Sequence, residues 1–265
     1  MKDVVKNLDR YGRIEVVLTI GEEAGLHGAR YLDYSMIKAK HGFSLDSSGL
    51  GRIGIGAPYY NAIDVNLKGR SAHAAVNADQ GINAVVLMSH LISSVEFGRL
   101  DDETTSNVGV INGGVARNVV PDACHAVMEV RSHNEEKVEN YTRELKQILE
   151  QLGEKMAVNV SGKTIKPICD VKVHRECDGF YLDAKSPVVS CASSALKKIG
   201  RAVGTFRNMG GSDANVFNSH GMEVAVVGTG QKAVHSHDEY IKINDLIDGV
   251  KLVPELVETW TGWWR

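Results

Sequence analysis

The sequence lacks the marks of a membrane-spanning or disordered protein. Its longest apolar stretches, at 84–88 and 224–227, are far shorter than the roughly 20 residues of a transmembrane helix. Only 5 of the 265 residues are proline and 43% are hydrophobic, which is the composition of a chain that folds around a core. At this length we expect one or two domains.

Charge, cysteine spacing and the N-terminus exclude further classes. The chain has 30 Lys and Arg against 33 Asp and Glu, and without an excess of positive charge we expect neither a nucleic acid nor a membrane as a partner. Its 4 cysteines include no C-x-x-C pair, so neither a zinc ribbon nor a redox motif is indicated. Residues 1–13 lack the apolar core of a secretion signal, and we therefore predict a cytoplasmic protein.

The first 57 residues show the pattern of an α/β protein. Residues 14–20 (IEVVLTI) are nearly all apolar or β-branched, which predicts a strand buried on both faces of a parallel sheet. Residues 24–34 are predicted to form a helix and residues 41–46 a second strand. Both strands run into acidic residues, and open α/β sheets place their sites at the carboxyl ends of strands.

The middle of the chain has a different pattern. Its predicted elements follow the β-α-β-β-α-β order of a ferredoxin-like domain: strand 61–68, helix 80–97, strand 106–112, strand 124–131, helix 135–152 and strand 156–160. The second helix is the clearest, with an apolar stripe between Asn134 as N-cap and Gly153 as C-cap. The domain extends through residues 164–176, which show no clear element.

The α/β pattern then returns. The sequence predicts a helix at 187–199, strands at 202–207 and 223–227, a short helix after Gly210-Gly211-Ser212, and a closing helix at 245–260. We therefore predict an α/β domain, formed by 1–57 and 177–265, that is interrupted by an inserted α+β domain at 58–176.

A glycine motif permits two interpretations. Residues 49–54 (GLGRIG) fit the dinucleotide fingerprint G-x-G-x-x-G. That motif binds a pyrophosphate only where a helix begins, and residues 55–60 (IGAPYY) are not helical sequence. We favour a glycine-rich crossover between domains over nucleotide binding.

Acidic residues and histidines near the predicted strand ends indicate a metal site. Glu22 and Glu23 are adjacent carboxylates that repel each other unless a cation or a proton compensates, although solvated acids at a helix start would look the same. Asp46 repeats the feature at the next strand end. His235 and His237 lie in the loop AVHSHDE, and imidazole with carboxylate suits zinc. The alternative is a surface loop with incidental histidines.

Polar residues of the inserted domain also have two interpretations. The segment GRSAH ends with His73, and RNVVP joins two strands and contains Asn118. Arg131 ends the following strand. Because an arginine forms bidentate pairs with carboxylates, Asn118 and Arg131 could grip a substrate terminus. Ordinary hairpin and strand-end chemistry would explain the same residues.

Six ordered segments resemble one family across almost the whole chain. They are similar to the aminoacylase, carboxypeptidase G and peptidase T family of co-catalytic zinc hydrolases, most of all its peptidase T-like branch: TIGEEAGLHGAR (19–30), LDSSG (45–49), GRSAHAA (69–75), GGVARNVVPDACHAVMEVRSHN (113–134), GGSDANVF (210–217) and VGTGQKAVHSHDEYI (227–241). The resemblance implies a zinc-exopeptidase-like catalytic α/β domain with an inserted ferredoxin-like lid, through which two copies form a homodimer.

The resemblance implies roles for residues of the catalytic domain. Glu22 would be the general base that takes a proton from the attacking water. Glu23 and His235 would ligate one zinc ion and Asp46 the other, whereas His237 would not be a ligand. Cobalt or manganese could take the place of zinc in such a ligand set.

The resemblance also implies how substrate is held. In the lid, His73 would reach the site of a partner subunit and stabilise the developing oxyanion, while Asn118 and Arg131 would hold substrate. The Gly210-Gly211 loop would line the cleft. The implied activity is hydrolysis of small peptides by a zinc-dependent aminopeptidase, and the alternative is an amidase or carboxypeptidase that acts on N-acyl amino acids.

The sequence departs from the family pattern at one point. The family has an H-x-D segment and a bridging aspartate before the glutamate pair, whereas only 21 residues precede Glu22 here and none of them is a histidine. We therefore expect the chain to correspond to roughly the C-terminal two-thirds of such an enzyme, with impaired metal binding and activity by itself. The alternative outside the enzymes is a non-catalytic remnant that dimerises through its lid.

Overall fold

The computed structural model describes residues 11–263 and divides the chain into two compact units. Unit 1 is formed by the chain up to Pro58 together with Asp178–Arg265, and unit 2 is Tyr59–Cys177. Residues 1–10 and 264–265 lie outside the described part. The prediction that the chain has no secretion signal depends mostly on residues 1–10 and therefore falls outside it too. Within residues 11–263, no helix is both long and apolar enough to cross a membrane.

The elements are numbered along the chain. The strands are β1 His41–Ser44, β2 Arg52–Ala57, β3 Tyr59–Lys68, β4 Ala72–His73, β5 Gly98–Arg99, β6 Thr104–Gly113, β7 Val119–Val120, β8 Ala123–Ser132, β9 Val158–Val160, β10 Lys163–Ile165, β11 Ile168–Cys177, β12 Phe180–Tyr181, β13 Gly204–Arg207, β14 Glu223–Val227, β15 Gln231–Lys232 and β16 Tyr240–Ile241. The helices are α1 His27–Arg30, α2 Ala84–Ser94, α3 Glu135–Lys155, α4 Pro187–Lys198, α5 Asp213–Ser219 and α6 Ile243–Gly262, with 3-10 turns at Tyr34–Met36 and Ala78–Gln80. This succession confirms the predicted α/β class.

Unit 2 is a ferredoxin-like sheet with two helices. Its strands lie in the order β11-β3-β8-β6-β5, and all neighbours are antiparallel. With α2 and α3 in the two crossover positions, this is the β-α-β-β-α-β arrangement that the sequence predicts. Alternate residues of β8 are buried, and they join the helices in a core that includes Val65, Met88, Met128, Leu145 and Leu149.

Helix α3 forms for local reasons but is longer than predicted. The side-chain oxygen of Asn134 accepts a hydrogen bond from the backbone N–H of Glu136 at 2.9 Å, which confirms the predicted N-cap. The buried face repeats at helical spacing through Val138, Leu145 and Leu149. The predicted C-cap at Gly153 is wrong, because the helix continues past it to Lys155. A side chain on Gly153 would contact Cys169 at 3.4 Å, so this glycine allows β11 to approach the helix.

The last strand of unit 2 differs from the prediction. The sequence places it at 156–160, but β9 is a three-residue strand that pairs with β10 in a separate hairpin. The strand beside β3 is β11, in the segment that shows no clear element in the sequence. Because β11 is an edge strand with one exposed face, polar residues interrupt its apolar pattern and hide the strand.

Unit 1 contains a mixed sheet. Strands β1 and β14 are parallel, β2 pairs with β14 and β12 in antiparallel orientation, and β13 pairs with β2 in parallel. Helices α4 and α5 pack against β14, and α6 packs against α4. The core includes Ile53, Val188, Leu196, Ala225 and Leu252. Because β1 and β14 are parallel, their carboxyl ends lie at the same edge of the sheet.

The glycine-rich segment 49–54 leads into the centre of this sheet. The predicted crossover between domains is wrong, because β2 begins at Arg52 and pairs with β12, β13 and β14. Gly54 lies where the neighbouring strand approaches closely, since a methyl group there would be 3.1 Å from Val226 Cβ. A strand, not a helix, follows the motif, so no helix N-terminus is available for a pyrophosphate at this point.

The first predicted strand is wrong. Residues 14–20 form no strand, and the side chains of Val16, Leu18 and Ile20 are 56%, 90% and 79% exposed. An apolar stretch becomes a buried strand only beside a neighbour that satisfies its backbone N–H and C=O groups. No strand within residues 11–263 pairs with this segment.

The first predicted helix is also wrong over most of its length. Of residues 24–34, only α1 is α-helical, and a 3-10 turn begins at the end of the range. The reason is local, because Gly21, Gly25 and Leu26 adopt φ angles of +64°, +101° and +61°, which do not occur within an α-helix. The segment therefore folds as a series of turns.

The later elements of unit 1 follow the prediction closely. Helix α4 begins at Pro187, and Gly200 with a φ of +77° follows its end. Strand β14 has the predicted bounds and α5 begins directly after Ser212. Helix α6 extends beyond its predicted bounds at both ends. Its Leu246 and Val250 are 53% and 67% exposed, whereas the buried residues of α6 include Leu252 and Leu256.

Candidate functional site

The loop that carries Glu22 and Glu23 is held by backbone hydrogen bonds. The backbone N–H of Leu26 donates to the Glu22 carbonyl at 2.9 Å, and that of Gly28 donates to the Ile20 carbonyl at 2.7 Å. Gly28 has no room for a side chain, since a methyl group there would lie 2.4 Å from the Ile20 nitrogen. The turns therefore place the two glutamates in a defined position despite the absence of a strand.

Asp46 lies two residues beyond β1, in a loop bound to the loop that follows β14. The backbone N–H of Thr229 donates to the Ser47 carbonyl at 2.9 Å, and that of Gly49 donates to the Gln231 carbonyl at 3.2 Å. The loops are in such close contact that a methyl group on Gly228 would lie 2.0 Å from the Gly49 carbonyl oxygen. The parallel strands and these bonds fix Asp46 beside the chain that leads to His235.

His235 has an unusual backbone conformation and faces Glu23. Its φ is +61°, and that of Ala233 is +51°, which is a costly conformation for residues with a side chain. The loop is held in part by a hydrogen bond from the His235 backbone N–H to the Glu239 carboxylate at 3.1 Å. The His235 Nδ1 atom lies 3.7 Å from Glu23 Oε2, close to the roughly 3.3 Å between two ligands of one tetrahedral zinc ion.

A further carboxylate, which the sequence reasoning missed, belongs to this cluster. Asp213 is the first residue of α5 and only 6% exposed. Its Oδ2 accepts a hydrogen bond from the Thr19 hydroxyl, while its Oδ1 is buried without a hydrogen-bond partner. The signal in the sequence was an acid directly after Gly210-Gly211-Ser212, the position in which a helix N-terminus and a glycine turn meet.

Burial and the negative charges in this cluster raise the pKa values of Glu22 and Asp46. Burial, together with the charges of Asp46, Glu23 and Asp213, raises the pKa of Glu22 to about 7, although His235 opposes the shift. Burial also raises the pKa of Asp46, with further contributions from Asp213 and Glu23. Perturbed carboxylates of this kind cluster at functional sites, and a Glu with a pKa near 7 is suited to accept and return a proton at neutral pH.

We expect the metal-free chain to lose stability as the pH rises from about 4.5 to about 7. Below this window Glu22 is protonated in both the folded and the unfolded chain, and above it the folded chain carries the full cost of the buried charge. Thermal unfolding in a chelating buffer across this window measures the effect. Glu22→Gln should flatten the curve and Glu154→Gln, on the surface of unit 2, should not. If the unfolding temperatures of wild type and Glu22→Gln changed with pH in the same way, the raised pKa would not belong to Glu22.

The predicted zinc ligands lie near one another without forming a closed ligand set. Among residues 11–263, no group of three or more His, Cys, Asp and Glu side chains is placed to hold a metal ion. The donor chemistry of the cluster nevertheless fits a divalent cation, because it joins carboxylates to an imidazole and contains the unsatisfied oxygen of Asp213. The assignment of Glu23, Asp46 and His235 as ligands remains a prediction.

In unit 2, the structure brings His73 and Asn118 together. Strands β4 and β7 pair, and the backbone N–H of Ala74 donates to the Asn118 carbonyl at 3.0 Å. The backbone N–H of Ala75 donates to His73 Nδ1 at 3.2 Å. Because Nδ1 accepts this bond, the neutral ring carries its proton on Nε2. His73 can thus donate a hydrogen bond from Nε2 to a developing negative charge.

Arg131 is part of a group that orients its guanidinium. Its Nε and Nη2 atoms each donate to the Glu129 carboxylate at 3.0 Å, and its guanidinium lies over the Tyr60 ring at 4.1 Å from the centroid. Two of the five N–H donors of an arginine are thereby used. The remaining donors are available to a substrate carboxylate. Substrate binding by Arg131 stays a prediction.

Gly210 and Gly211 lie between the end of β13 and the start of α5. The Asn208 side chain accepts a hydrogen bond from the backbone N–H of Gly210 at 3.2 Å. The loop leads directly into Asp213, and through that residue it adjoins the carboxylate cluster of unit 1. Its predicted function in lining the cleft is not tested by this arrangement.

Comparison with known proteins shows which family the chain resembles. Residues 60–157 match the family model of the M20 peptidase dimerisation domain, which coincides with most of unit 2. This match shows an M20-type dimerisation domain in the middle of the chain, and relatives in sequence and fold make the chain similar to the M20 metallopeptidases, a family of hydrolases.

Three relatives illustrate the similarity, and two of them are named as an aminopeptidase and a tripeptidase. Aminopeptidase PepT from Bacillus cereus ATCC 10987 is 34% identical, with 91% of this chain and 63% of PepT covered and a TM-score of 0.82. A tripeptidase from Staphylococcus aureus subsp. aureus Mu50 is 27% identical, with 98% and 68% covered and a TM-score of 0.89. YqjE of Bacillus subtilis (strain 168) is 35% identical over 94% of this chain and 65% of its own length. The chain thus spans 63–68% of these relatives.

Proposed function

We propose that this chain hydrolyses peptide bonds of small peptides as a metal-dependent, peptidase T-like exopeptidase in the cytoplasm. The observation that carries the proposal is the cluster of Glu22, Glu23, Asp46, Asp213 and His235 in unit 1, in which burial and like charge raise the pKa of Glu22 to about 7. The similarity to an aminopeptidase and a tripeptidase supports the peptide substrate.

Glu23, Asp46 and His235 would hold zinc in a two-metal site, with cobalt or manganese as substitutes. A bound divalent cation supplies Lewis-acid polarisation of the scissile carbonyl and lowers the pKa of water. The 3.7 Å between the donor atoms of Glu23 and His235 supports a shared ion. The loop contacts between Ser47 and Thr229 keep Asp46 beside them.

Glu22 would act as general base and then as general acid. Its carboxylate, whose pKa is raised in the metal-free chain, would accept a proton from the attacking water and return it to the leaving amine. The turns between Ile20 and Gly28 keep this carboxylate in position. General catalysis of this kind contributes typically ~10²–10⁴-fold to the rate.

Unit 2 would provide the contacts to substrate. The Nε2 proton of His73 would stabilise the developing oxyanion in the site of a partner subunit, in a homodimer formed through the dimerisation domain. Asn118 and Arg131 would hold substrate, with Arg131 kept in orientation by Glu129. Gly210 and Gly211 would line the cleft.

The decisive experiment is zinc stoichiometry followed by a substrate test. About two zinc ions per chain after equilibration and removal of excess, together with hydrolysis of a tripeptide in preference to an N-acyl amino acid, would support the proposal. Preference for the acyl substrate would indicate the amidase or carboxypeptidase alternative. A dimer that binds no zinc and hydrolyses neither substrate would indicate a non-catalytic protein and would overturn the proposal.

A further inference from the structure

Asp213 combines burial with an incomplete set of hydrogen bonds. Its side chain is only 6% exposed, and Oδ1 has no hydrogen-bond partner. A buried carboxylate oxygen without a partner loses its hydration and gains nothing in return, which costs stability. The position at the start of α5 provides a modest stabilisation by the helix dipole, which does not satisfy Oδ1.

The charge of Asp213 acts unfavourably on its neighbours in the metal-free chain. It opposes ionisation of both Glu22 and Asp46. These two carboxylates and Asp213 therefore repel one another. A buried charge in such surroundings is retained where a cation compensates it. Asp213 therefore lowers the stability of the metal-free chain and strengthens the field that attracts a cation.

The other oxygen of Asp213 reaches the segment that precedes the catalytic glutamate. Oδ2 accepts the hydroxyl proton of Thr19, three residues before Glu22. Because residues 14–20 form no strand, the position of this segment depends on turns and side-chain bonds. The bond between Thr19 and Asp213 ties the segment to α5 close to the point where the Glu22 loop begins.

We propose that Asp213 is a positioning residue of the metal centre, which holds the Glu22-Glu23 loop through Thr19 and supplies a buried negative charge that raises the affinity of Glu23, Asp46 and His235 for a divalent cation. The inference rests on the proposed function, since it requires that the centre binds a cation. In this role Asp213 acts through its charge and through Thr19 and does not itself coordinate the cation. Outer carboxylates of metal sites typically change metal affinity by ~10–100-fold.

Two variants separate the charge of Asp213 from its hydrogen bond. Asp213→Asn keeps an oxygen that can accept from Thr19 but removes the charge, and we expect zinc affinity by calorimetry to fall by ~10–100-fold. Thr19→Val keeps the charge but removes the bond, and we expect kcat for a tripeptide to fall with a smaller change in zinc affinity. Thr19→Ser, which restores the hydroxyl, should recover kcat.

The unfolding temperature of the metal-free chain distinguishes this role from a structural one. Asp213→Asn should unfold at the same or a higher temperature than wild type, because it removes an uncompensated buried charge. The control is Asp183→Asn, which removes one charge from an exposed turn of unit 1 and should leave zinc affinity unchanged.

Each outcome counts for or against the inference. Wild-type zinc affinity in Asp213→Asn, or a lower unfolding temperature of that variant without metal, would overturn it while the proposed function stands. Absence of zinc binding by the wild-type chain would overturn the metal-dependent function, and the inference with it. Loss of affinity in Asp213→Asn but not in Asp183→Asn, with an unchanged or raised unfolding temperature, supports it.

Discussion

Replacing Glu22 with glutamine should lower kcat for tripeptide hydrolysis by ~10²–10⁴-fold, the usual contribution of a general base. The amide has nearly the same shape as the carboxylate but accepts no proton in the relevant pH range. Because Glu22 is proposed as the base and not as a ligand, zinc affinity should stay within about tenfold, a smaller change than the ~10–100-fold cost of losing an outer carboxylate. Steady-state kinetics and calorimetry on the same preparation measure both quantities.

The control for this variant is Glu154→Gln, which removes a surface carboxylate paired with Lys166 and should leave both quantities unchanged. The pH dependence of kcat provides a second readout, because an activity that depends on the charged form of Glu22 rises with pH as that carboxyl loses its proton. If Glu22→Gln kept its turnover, or lost zinc to the same degree as activity, the base would have to be another residue.

Replacing His235 with alanine should lower zinc affinity by more than ~100-fold, beyond the usual cost of losing an outer partner of a metal ligand. The same change at His237 should have little effect. The two histidines are neighbours in one exposed loop, but His235 Nδ1 lies 3.7 Å from Glu23 Oε2. The pair therefore provides a matched test within one loop of the chain.

Zinc-dependent stability offers an independent measurement of the same prediction. A ligand present at 100 times its Kd stabilises the folded chain by about 2.7 kcal/mol. The rise in unfolding temperature on addition of zinc should be lost in His235→Ala and kept in His237→Ala. Equal loss in both variants would mean that the loop as a whole, and not the His235 imidazole, determines zinc binding.

Elements governed by neighbouring residues were predictable from the sequence. Asn134 caps α3 as expected because the capping bond joins residues two positions apart, and Pro187 begins α4 for a similar local reason. The bounds of β14 and the start of α5 also followed from nearby turns and apolar runs. The ferredoxin-like order of unit 2 emerged because most of its elements have such local signals.

Elements that depend on distant neighbours were predicted wrongly. Residues 14–20 have the composition of a buried strand, but no described strand lies beside them. Segment 49–54 has the composition of a loop, but it leads into a central strand because Gly54 permits the close approach of Val226. In both cases, whether the segment becomes a strand depends on the presence of a neighbouring strand, which cannot be read from local composition.

In the candidate site, too, some features were predictable from the sequence and others required the folded structure. The residue types and spacing of Glu22, Glu23, Asp46 and His235 suggested a metal centre, and the resemblance to zinc hydrolases assigned their roles. Asp213 carried little signal, because an acid at a helix start is usually a solvated N-terminal residue. Its burial and its unpartnered oxygen became apparent only when the chain was folded.

By itself, the sequence determined the α/β class, the helices with strong capping and periodicity, and the residue types able to bind a metal, since each depends on residues near one another in the chain. Tertiary structure alone decided that Thr19 bonds to Asp213 across 194 positions of sequence and that the Arg131 guanidinium lies over the Tyr60 ring. It also decided that Asp46, Glu23 and Asp213 come close enough to Glu22 for their charges to raise its pKa. Burial and charge repulsion depend on distances in space, and these exist only once the separate segments of the chain are packed together.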